Sequence, residues 1–219
     1  MNTQRAATPS PRRSPRPSSG PVTTVRPETA DEDLRELRAT LPAGHPIDTL
    51  YQEHDEILHF LDLLEQVAPR IQAMAAYDPE SRDLAFLKHL AEHLVAAEKH
   101  HAREEDVLFP ALEERGVRGP TRVMRAEHNQ FRPKKHRLLV LAESVGPVGG
   151  GGFGAFKKEV GEIITFIAGN LREHIYKENT VLYPAALRLI TDPATWEEIR
   201  EKCDAIGYCC FTPGKGHGH

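Results

Sequence analysis

Four long stretches of the chain carry apolar residues at alternating spacings of three and four, and none shows the every-second-residue alternation of a strand. The spacing predicts four helices, over about residues 47–76, 80–114, 121–144 and 153–190. Glycine and proline in 115–120, and glycine in 146–154, predict the connections. Four amphipathic helices with short connections predict an all-α fold, an up-down-up-down four-helix bundle over residues 44–191.

The second and fourth predicted helices carry ionisable residues on their apolar stripes. The second stripe consists of Phe86, Leu90, His93, Ala97, His100, Glu104, Val107 and Ala111, and the fourth of Val160, Ile164, Ile167, Leu171, His174, Glu178, Val181 and Ala185.

Pro133 lies inside the third predicted helix and is expected to kink or divide it. Residues 192–219 are expected to form a short helix, over about 196–205, and a flexible end.

Two stretches of the chain resemble each other at an offset of 74 residues. The first reads HHAREEDVLFPA over residues 100–111, and the second reads HIYKENTVLYPA over residues 174–185. The offset is fixed by the apolar ends of these stretches, yet it also superposes His100 on His174 and Glu104 on Glu178. It further superposes the pair at 53–54 on the pair at 127–128, both Glu-His. The chain is therefore predicted to contain two copies of one helical pair.

The repeated polar residues predict a metal centre inside the bundle. Side chains four residues apart share one face of a helix, and the apolar stripes meet at the centre of a four-helix bundle. Six ionisable side chains are thereby brought to one cross-section: His54, His100, Glu104, His128, His174 and Glu178. One such histidine alone would more often be a packed core residue. All six in register favour two divalent cations, because unpaired charges in a core are costly.

The repeat also decides between two neighbouring His-x-x-x-Glu pairs. His101 and Glu105 form a second pair, but Ile175 and Asn179 replace them in the other copy. We therefore choose His100 with Glu104. Four further histidines are interpreted as surface or flanking residues, namely His59, His89, His101 and His136.

Nitrogen and oxygen ligands suit Fe, and Mn or Zn are possible. The absence of cysteine from the six positions argues against thiolate or iron–sulfur chemistry there. Six protein ligands for two metals leave open positions, which O2, NO or peroxide could occupy. The two carboxylates could bridge the metals while the imidazoles take terminal positions.

Several other residues are candidates for roles near the site. His93, two turns before His100, is expected either in an outer layer or as a packed or solvated residue. His45 could cap the first helix or reach the site, and Tyr51 and Tyr176 could donate hydrogen bonds to a bound ligand or pack in the core. Cys209 and Cys210 could deliver electrons or form an inert end. His217 and His219 could bind stray metal or fray with the terminus.

Composition limits the other classes of function. Residues 1–43 are predicted as a disordered tail, because six prolines lie in the first 27 residues and almost nothing there is apolar. The net charge is −4, so no basic surface for nucleic acid is expected. The chain contains no apolar run long enough to predict a membrane span. No apolar segment follows the first residues, so we expect no secretory signal and a cytoplasmic protein. Three clustered cysteines, Cys203, Cys209 and Cys210, are a poor disulfide framework.

These motifs resemble the hemerythrin-like, HHE cation-binding family. The resemblance covers residues 41–208 and is carried by LPAGHPIDTLYQEHDEILHFL at 41–61, EKHHAREEDVLFPALEERGVRGPTRVMRAEH at 98–128 and YKENTVLYPAALRLITDPATWEEIREKCDAIGY at 176–208. Within the family, the chain resembles a subfamily of unassigned activity that is often joined to bacterial sensor domains. The resemblance implies a four-helix bundle with a non-haem di-iron centre, held by the six residues named above. Oxygen carriers of the family have a histidine where this chain has Arg132. This difference weakens the hypothesis that the chain carries O2 reversibly.

The leading hypothesis is a di-iron protein that binds or senses a small diatomic ligand, O2 or NO. One alternative is a di-iron enzyme that reduces nitric oxide or peroxide or repairs iron–sulfur clusters, which would need a redox partner protein. Another alternative is iron storage or iron sensing, in which the metal holds the bundle together.

Overall fold

The computed structural model describes residues 34–146 and 152–212, and the regular structure within these residues is helical throughout. The elements, in chain order, are α1 Pro46–Ala73, α2 Arg82–Ala96, α3 Glu98–Arg103, a π-helical segment Glu104–Leu108, α4 Phe109–Glu114, α5 Gly119–Ser144, α6 Gly152–Lys177, a second π-helical segment Glu178–Leu182, α7 Tyr183–Leu189 and α8 Pro193–Ile206. A short helical segment over 34–39 precedes them.

Four of these helices form a closed square. Helix α1 packs against α2 and α6, and α5 packs against the same two helices from the opposite corner. With α3, the first π-helical segment and α4 counted as the continuation of α2, the connections are short compared with the helices, so consecutive helices run antiparallel. The predicted all-α four-helix bundle is therefore confirmed. In the described residues, no helix has both the length and the apolar character that a bilayer span requires.

Local signals explain where the helices begin and end. The His45 Nδ1 atom accepts a hydrogen bond from the Ile47 N–H at 3.2 Å and caps α1, which is one of the two roles expected for this histidine. Asp192 caps α8 in the same way, through the N–H groups of Ala194 and Thr195. Gly116 lies between α4 and α5 and has a φ of 89°. Residues with a Cβ atom rarely adopt this backbone conformation.

Prolines act differently from the sequence expectation. Helix α5 continues from Gly119 to Ser144 with Pro133 inside it, so of the two expected effects, a kink or a division, the division does not occur. The second and fourth predicted helices are instead interrupted just before Pro110 and Pro184, where each contains a π-helical turn. A proline has no N–H group to donate to the carbonyl four residues earlier, and a wider turn accommodates that loss.

The π-helical turns shift the apolar stripe by one residue. The Phe109 N–H donates to the Glu104 carbonyl five residues earlier, rather than the usual four, and Tyr183 repeats this with Glu178. Within and beyond the turns, the buried apolar residues are Val107, Leu108, Phe109, Leu112, Leu182, Tyr183, Ala186 and Ile190. Val181 is 55% exposed. The predicted stripe is therefore wrong at Val181 and displaced by one residue at Ala111 and Ala185, because it assumed an uninterrupted α-helical period, whereas Val107 is buried as predicted.

The interior consists of two apolar clusters with a polar layer between them. Along α1, Ile57, Leu61 and Leu64 belong to one cluster, whereas Ile47 and Leu50 belong to the other. The residues between these two groups include the buried pair at 53–54. The same order recurs in the other three corners of the bundle, so the polar layer crosses the whole molecule.

The ends of the described chain are more ordered than the sequence indicates. Leu34 and Leu41 pack against the second apolar cluster, and Arg38 forms a bidentate ion pair with Asp55. The tail expected over 1–43 is thus structured in its last ten residues. Residues 207–212, expected to be a loose end, pack against the bundle. The rest of the tail, the centre of the glycine-rich linker and the terminal His217 and His219 lie outside the described residues.

Replacing Leu64 with alanine should lower the free energy of unfolding by about 2–5 kcal/mol, because this fully buried side chain would leave a cavity in the larger apolar cluster. The control Val140→Ala removes methyl groups from a side chain that is 48% exposed, and it should change stability by less than about 0.5 kcal/mol. Urea unfolding of the metal-free chains, followed by helical circular dichroism, measures both. Equal losses would contradict the assignment of the core.

Candidate metal centre

The six residues predicted as ligands lie together in the middle of the bundle, and each is at most 1% exposed. One group offers ligand atoms that all lie within 4.8 Å of one another, and it consists of His54, His100, Glu104 and Glu178. A second such group in the described part of the chain consists of His101, His128 and His174. The histidines come from the four corners of the bundle, and both glutamates begin a π-helical turn.

The histidines form two pairs with similar geometry. The ring centroids of His54 and His100 are 4.7 Å apart, and those of His128 and His174 are also 4.7 Å apart. The Nε2 atoms of the second pair are separated by 2.9 Å. Two nitrogens that bind one metal at right angles, with bonds of about 2.1 Å, lie about 3 Å apart. The second pair therefore has the spacing of two ligands on one ion.

Each carboxylate reaches both histidine pairs. The two oxygens of Glu178 lie 3.3 Å from the His54 Nε2 atom and 3.1 Å from the His174 Nε2 atom. The Oε2 atom of Glu104 is 3.6 Å from the Nε2 atoms of both His100 and His128. Both glutamates are thus placed to bridge two ions, each of which would be held by one pair of histidines.

Several atoms at the centre are buried without a hydrogen-bond partner in the described residues. They are His100 Nε2, Glu104 Oε2 and both carboxylate oxygens of Glu178. A buried polar atom without a partner is costly, and a buried carboxylate more so. Because the orphaned atoms are lone-pair donors that point at one another, a pair of divalent cations fits this set of residues.

The two carboxylates perturb each other strongly. Burial and the negative charge of Glu178 raise the pKa of Glu104 well above its ordinary value. Burial also acts to raise the pKa of Glu178, but His174 and the other neighbouring imidazoles outweigh it and hold that pKa well below its ordinary value. Two close carboxylates cannot both carry a charge at low cost, and cations between them would remove this conflict.

Each of the four histidines in the pairs is oriented through its Nδ1 atom. The Nδ1–H group of His100 donates to Glu53 at 2.7 Å, and that of His54 donates to the Asn179 side-chain oxygen at 2.7 Å. This arrangement leaves the Nε2 lone pair of each ring directed at the centre. Burial lowers the pKa of His100 to about 4, which keeps its ring neutral and able to bind a metal.

The other two histidines repeat this pattern at the offset of the duplication. The Nδ1 atoms of His174 and His128 lie 2.7 Å from carboxylate oxygens of Glu127 and Glu105. These acids are the counterparts of Glu53 and Asn179 in the other half of the chain. Basic residues extend the correspondence, since Arg103 contacts Glu53 and Lys177, its counterpart, contacts Glu127. These partners were missed from the sequence, although their positions repeat at the same offset.

Two tyrosines contribute hydroxyl groups to the surroundings of the centre. Tyr183 donates a hydrogen bond of 2.6 Å to the Oε1 atom of Glu104 and leaves the Oε2 atom facing the histidines. Its counterpart in the first half is Phe109, which has no hydroxyl group. Tyr51 donates to the backbone carbonyl of Asn179 at 3.1 Å and so supports the residue that orients His54.

The structure corrects the interpretation of His101 as a surface or flanking residue. His101 is buried, its ring stacks on that of His128 at 3.9 Å, and its Nδ1 atom lies 3.2 Å from Glu98. The repeat argued against His101 as a ligand because its counterpart, Ile175, is apolar. Both positions are buried, so the difference between them distinguishes the two halves and does not mark an exposed site.

The remaining candidates lie away from the cluster. Tyr176 is 56% exposed, so the expectation that it donates to a bound ligand or packs in the core is wrong: its position follows Ile175 on the outer face of α6. His93 contacts Phe60 and Phe211 and belongs to neither group. His59, His89 and His136 are exposed, as expected.

The cysteines are not arranged as a metal site in the described residues. Burial raises the pKa of Cys209 to about 12 and that of Cys210 to about 11. Both therefore remain thiols at neutral pH, which disfavours rapid thiol chemistry.

Comparisons with known proteins agree with this geometry. The family model described as the hemerythrin HHE cation-binding domain matches residues 45–186. Proteins called iron-sulfur cluster repair protein YtfE, from Yersinia pseudotuberculosis serotype IB (strain PB1/+) and Yersinia pestis (strain Pestoides F), are 30% identical to this chain over 165 residues. The matched region is 73% of this chain and 71% of each relative.

Substituting His174 or Glu178 with alanine should leave less than half of the metal that the unmodified chain binds, because each change removes an inward-facing ligand atom. The substitution His136→Ala serves as the control, since His136 is exposed on the same bundle. Metal analysis of chains purified in parallel measures the effect. Equal metal content in all three variants would remove the ligand assignment.

Proposed function

The chain belongs to the hemerythrin HHE cation-binding family, and we propose that it is a non-haem di-iron protein that binds or senses a small diatomic ligand, O2 or NO. The proposed ligands are His54 and His100 on one iron and His128 and His174 on the other, with Glu104 and Glu178 as bridges. The single observation that carries the proposal is that both carboxylates lie within 4 Å of Nε2 atoms from both histidine pairs.

Nitrogen and carboxylate ligands without cysteine favour iron among the redox-active metals. When bound, the iron pair supplies electrons and open coordination positions. The chain supplies the setting, because the Nδ1 partners fix each ring and the bridging oxygens are held inward. Six protein ligands are too few to saturate two ions of six-fold coordination, so a small ligand has somewhere to bind.

A cavity beside the cluster supports the choice of a small ligand. It has about 10 Å³ of room for the centre of a water-sized molecule, which is about the space that one water molecule requires. The cavity is lined by four of the proposed ligand residues, His54, His100, His174 and Glu178. Its lining also includes the apolar side chains of Leu94, Ala97, Leu171 and Ile175. This volume favours a small ligand over an organic substrate.

Two polar residues also line the cavity. Lys135 is 2% exposed and its Nζ atom lies 2.6 Å from an oxygen of Glu98, the same oxygen that faces His101. Burial lowers the pKa of Lys135, although Glu98 opposes this effect. Lys135 and His101 thus place hydrogen-bond donors next to an otherwise apolar pocket, where a ligand that gains negative charge would be stabilised.

Iron-loaded protein should bind NO under anaerobic conditions and show a change in its optical and electron paramagnetic resonance spectra, with iron near two atoms per chain. The variant Glu178→Ala, which lacks a proposed bridge, should lose both the iron and the response. The variant His136→Ala should retain both.

Protein that holds two iron atoms but gives no spectral response to NO or O2 would contradict the proposed ligand binding. Protein that holds less than one iron atom after anaerobic loading would contradict the di-iron centre itself.

A second candidate function is iron supply to damaged iron–sulfur clusters, and the names of the Yersinia relatives favour it. This role would use the same centre as a source of iron. An iron–sulfur dehydratase that has lost one iron should regain activity with the iron-loaded chain and a thiol reductant. The chain with His174→Ala, matched for total protein, is the control. Equal recovery with both would point to free iron and would contradict this candidate.

A further inference from the structure

The two halves of the centre differ in how deeply their outer residues are buried. The side chain of Glu53, which orients His100, is fully buried, whereas that of its counterpart Glu127 is 22% exposed. Asn179, which orients His54, is 8% exposed, whereas the side chain of its counterpart Glu105 is 18% exposed. The ligands and the residues that orient them are duplicated, but the orienting residues are buried to different depths in the two halves.

The C-terminal segment, residues 207–212, creates this difference at Glu53. The hydroxyl group of Thr212 donates a hydrogen bond to the Oε1 atom of Glu53. The Arg103 guanidinium donates to the same carboxylate at 2.6 Å and 2.5 Å, and the Nδ1–H of His100 donates at 2.7 Å. Three side chains of the described residues thus donate to this buried acid.

The C-terminal segment is anchored by its own packing. The ring of Phe211 lies 4.7 Å from that of Phe60, in an edge-to-face contact on the larger apolar cluster. The ring of Tyr208 lies under the Arg103 guanidinium at 4.8 Å. The match to the family model ends at residue 186, so these contacts are made by residues outside the matched region.

We propose that the C-terminal segment is an outer layer of one metal position, and that the two positions therefore release metal at different rates. The His54/His100 position is the slow one, and the His128/His174 position is the fast one. This inference rests on the proposed di-iron centre. Thr212 is a positioning residue, because it acts on His100 through Glu53.

The physical reason is the behaviour of outer hydrogen-bond partners. A ligand histidine is held in place by the carboxylate behind it, and loss of such a partner typically lowers metal affinity about 10–100-fold. At Glu127 and Glu105, water can compete for the carboxylate, the imidazole can turn, and a chelator can approach. At Glu53, Thr212 and the rest of the segment exclude water and keep His100 directed at its metal.

The test is the rate at which the iron-loaded full chain loses ferrous iron to excess ferrozine without oxygen. The unmodified chain should lose iron in two phases of equal amplitude, with rates at least about tenfold apart, the lower end of the range for outer partners. Glu127→Gln should speed the fast phase alone. Mössbauer spectra of partly depleted samples should show that one of two quadrupole doublets disappears first.

Thr212→Val keeps the shape of the side chain and removes its hydroxyl group, so it should speed the slow phase about tenfold and leave the fast phase unchanged. Thr212→Ser restores a hydroxyl group and should restore the slow phase. Thr165→Val is the matched control, because Thr165 is exposed on α6 and its hydroxyl donates only to the Gly161 carbonyl. Thermal unfolding of the metal-free variants shows whether any effect is merely structural.

Three outcomes would overturn the inference while the di-iron proposal survives. They are a single release phase from protein that holds two iron atoms, a slow phase that Thr212→Val leaves unchanged, and equal acceleration of both phases by that variant. Protein that holds no iron pair would instead overturn the proposed function, on which the inference rests.

Discussion

The structure depends on one electrostatic constraint: two carboxylates lie in the middle of an apolar bundle, with no hydrogen-bond partner for three of their four oxygens in the described residues. A charge in such a place is unfavourable by several kcal/mol unless it is compensated. Apolar clusters lie on both sides of this layer and shield it from water. Cations that replace the missing partners would therefore join the two clusters across the layer.

The duplicated halves provide the hydrogen-bond partners of the central histidines, both within each half and between the halves. Two of the four histidines are oriented by a residue of their own half and two by a residue of the other half, and these four contacts form two equivalent sets at an offset of 74 residues. The correspondence reaches beyond the ligands. Tyr51 donates to the backbone carbonyl of Asn179, and Arg125, the counterpart of Tyr51, donates to the backbone carbonyl of Glu105. A repeat that extends to such distant partners indicates that residues which support the six central side chains, and not only those six, belong to the duplicated unit.

Much of the architecture could be predicted because helix periodicity is a local property. The four helices, their connections and the convergence of six polar side chains all follow from spacing and repeat. The stripe beyond Glu104 and Glu178 could not be predicted from a constant period, since the prolines widen the turn and add one residue. The signal was present in Pro110 and Pro184, but their effect depends on the hydrogen bond that each proline cannot donate.

Other features depend on contacts between distant parts of the chain, which no local pattern contains. The burial of His101 results from its stacking on His128, which lies on another helix. The packing of residues 207–212 depends on a small aromatic contact and one hydroxyl group, within a stretch whose composition resembles a loose end. The roles of Glu53 and Glu127 were encoded in the repeat, yet only coordinates show which ring each acid holds.

The packing around the cavity also bears on reactions that would need two small molecules at once. The cavity beside the centre has room for about one water-sized molecule. A reaction that joins two nitric oxide molecules into nitrous oxide requires both in the same space. If the chain carried out that alternative reaction, the second molecule would need space that is bounded in this packing arrangement by apolar side chains such as Leu94 and Leu171.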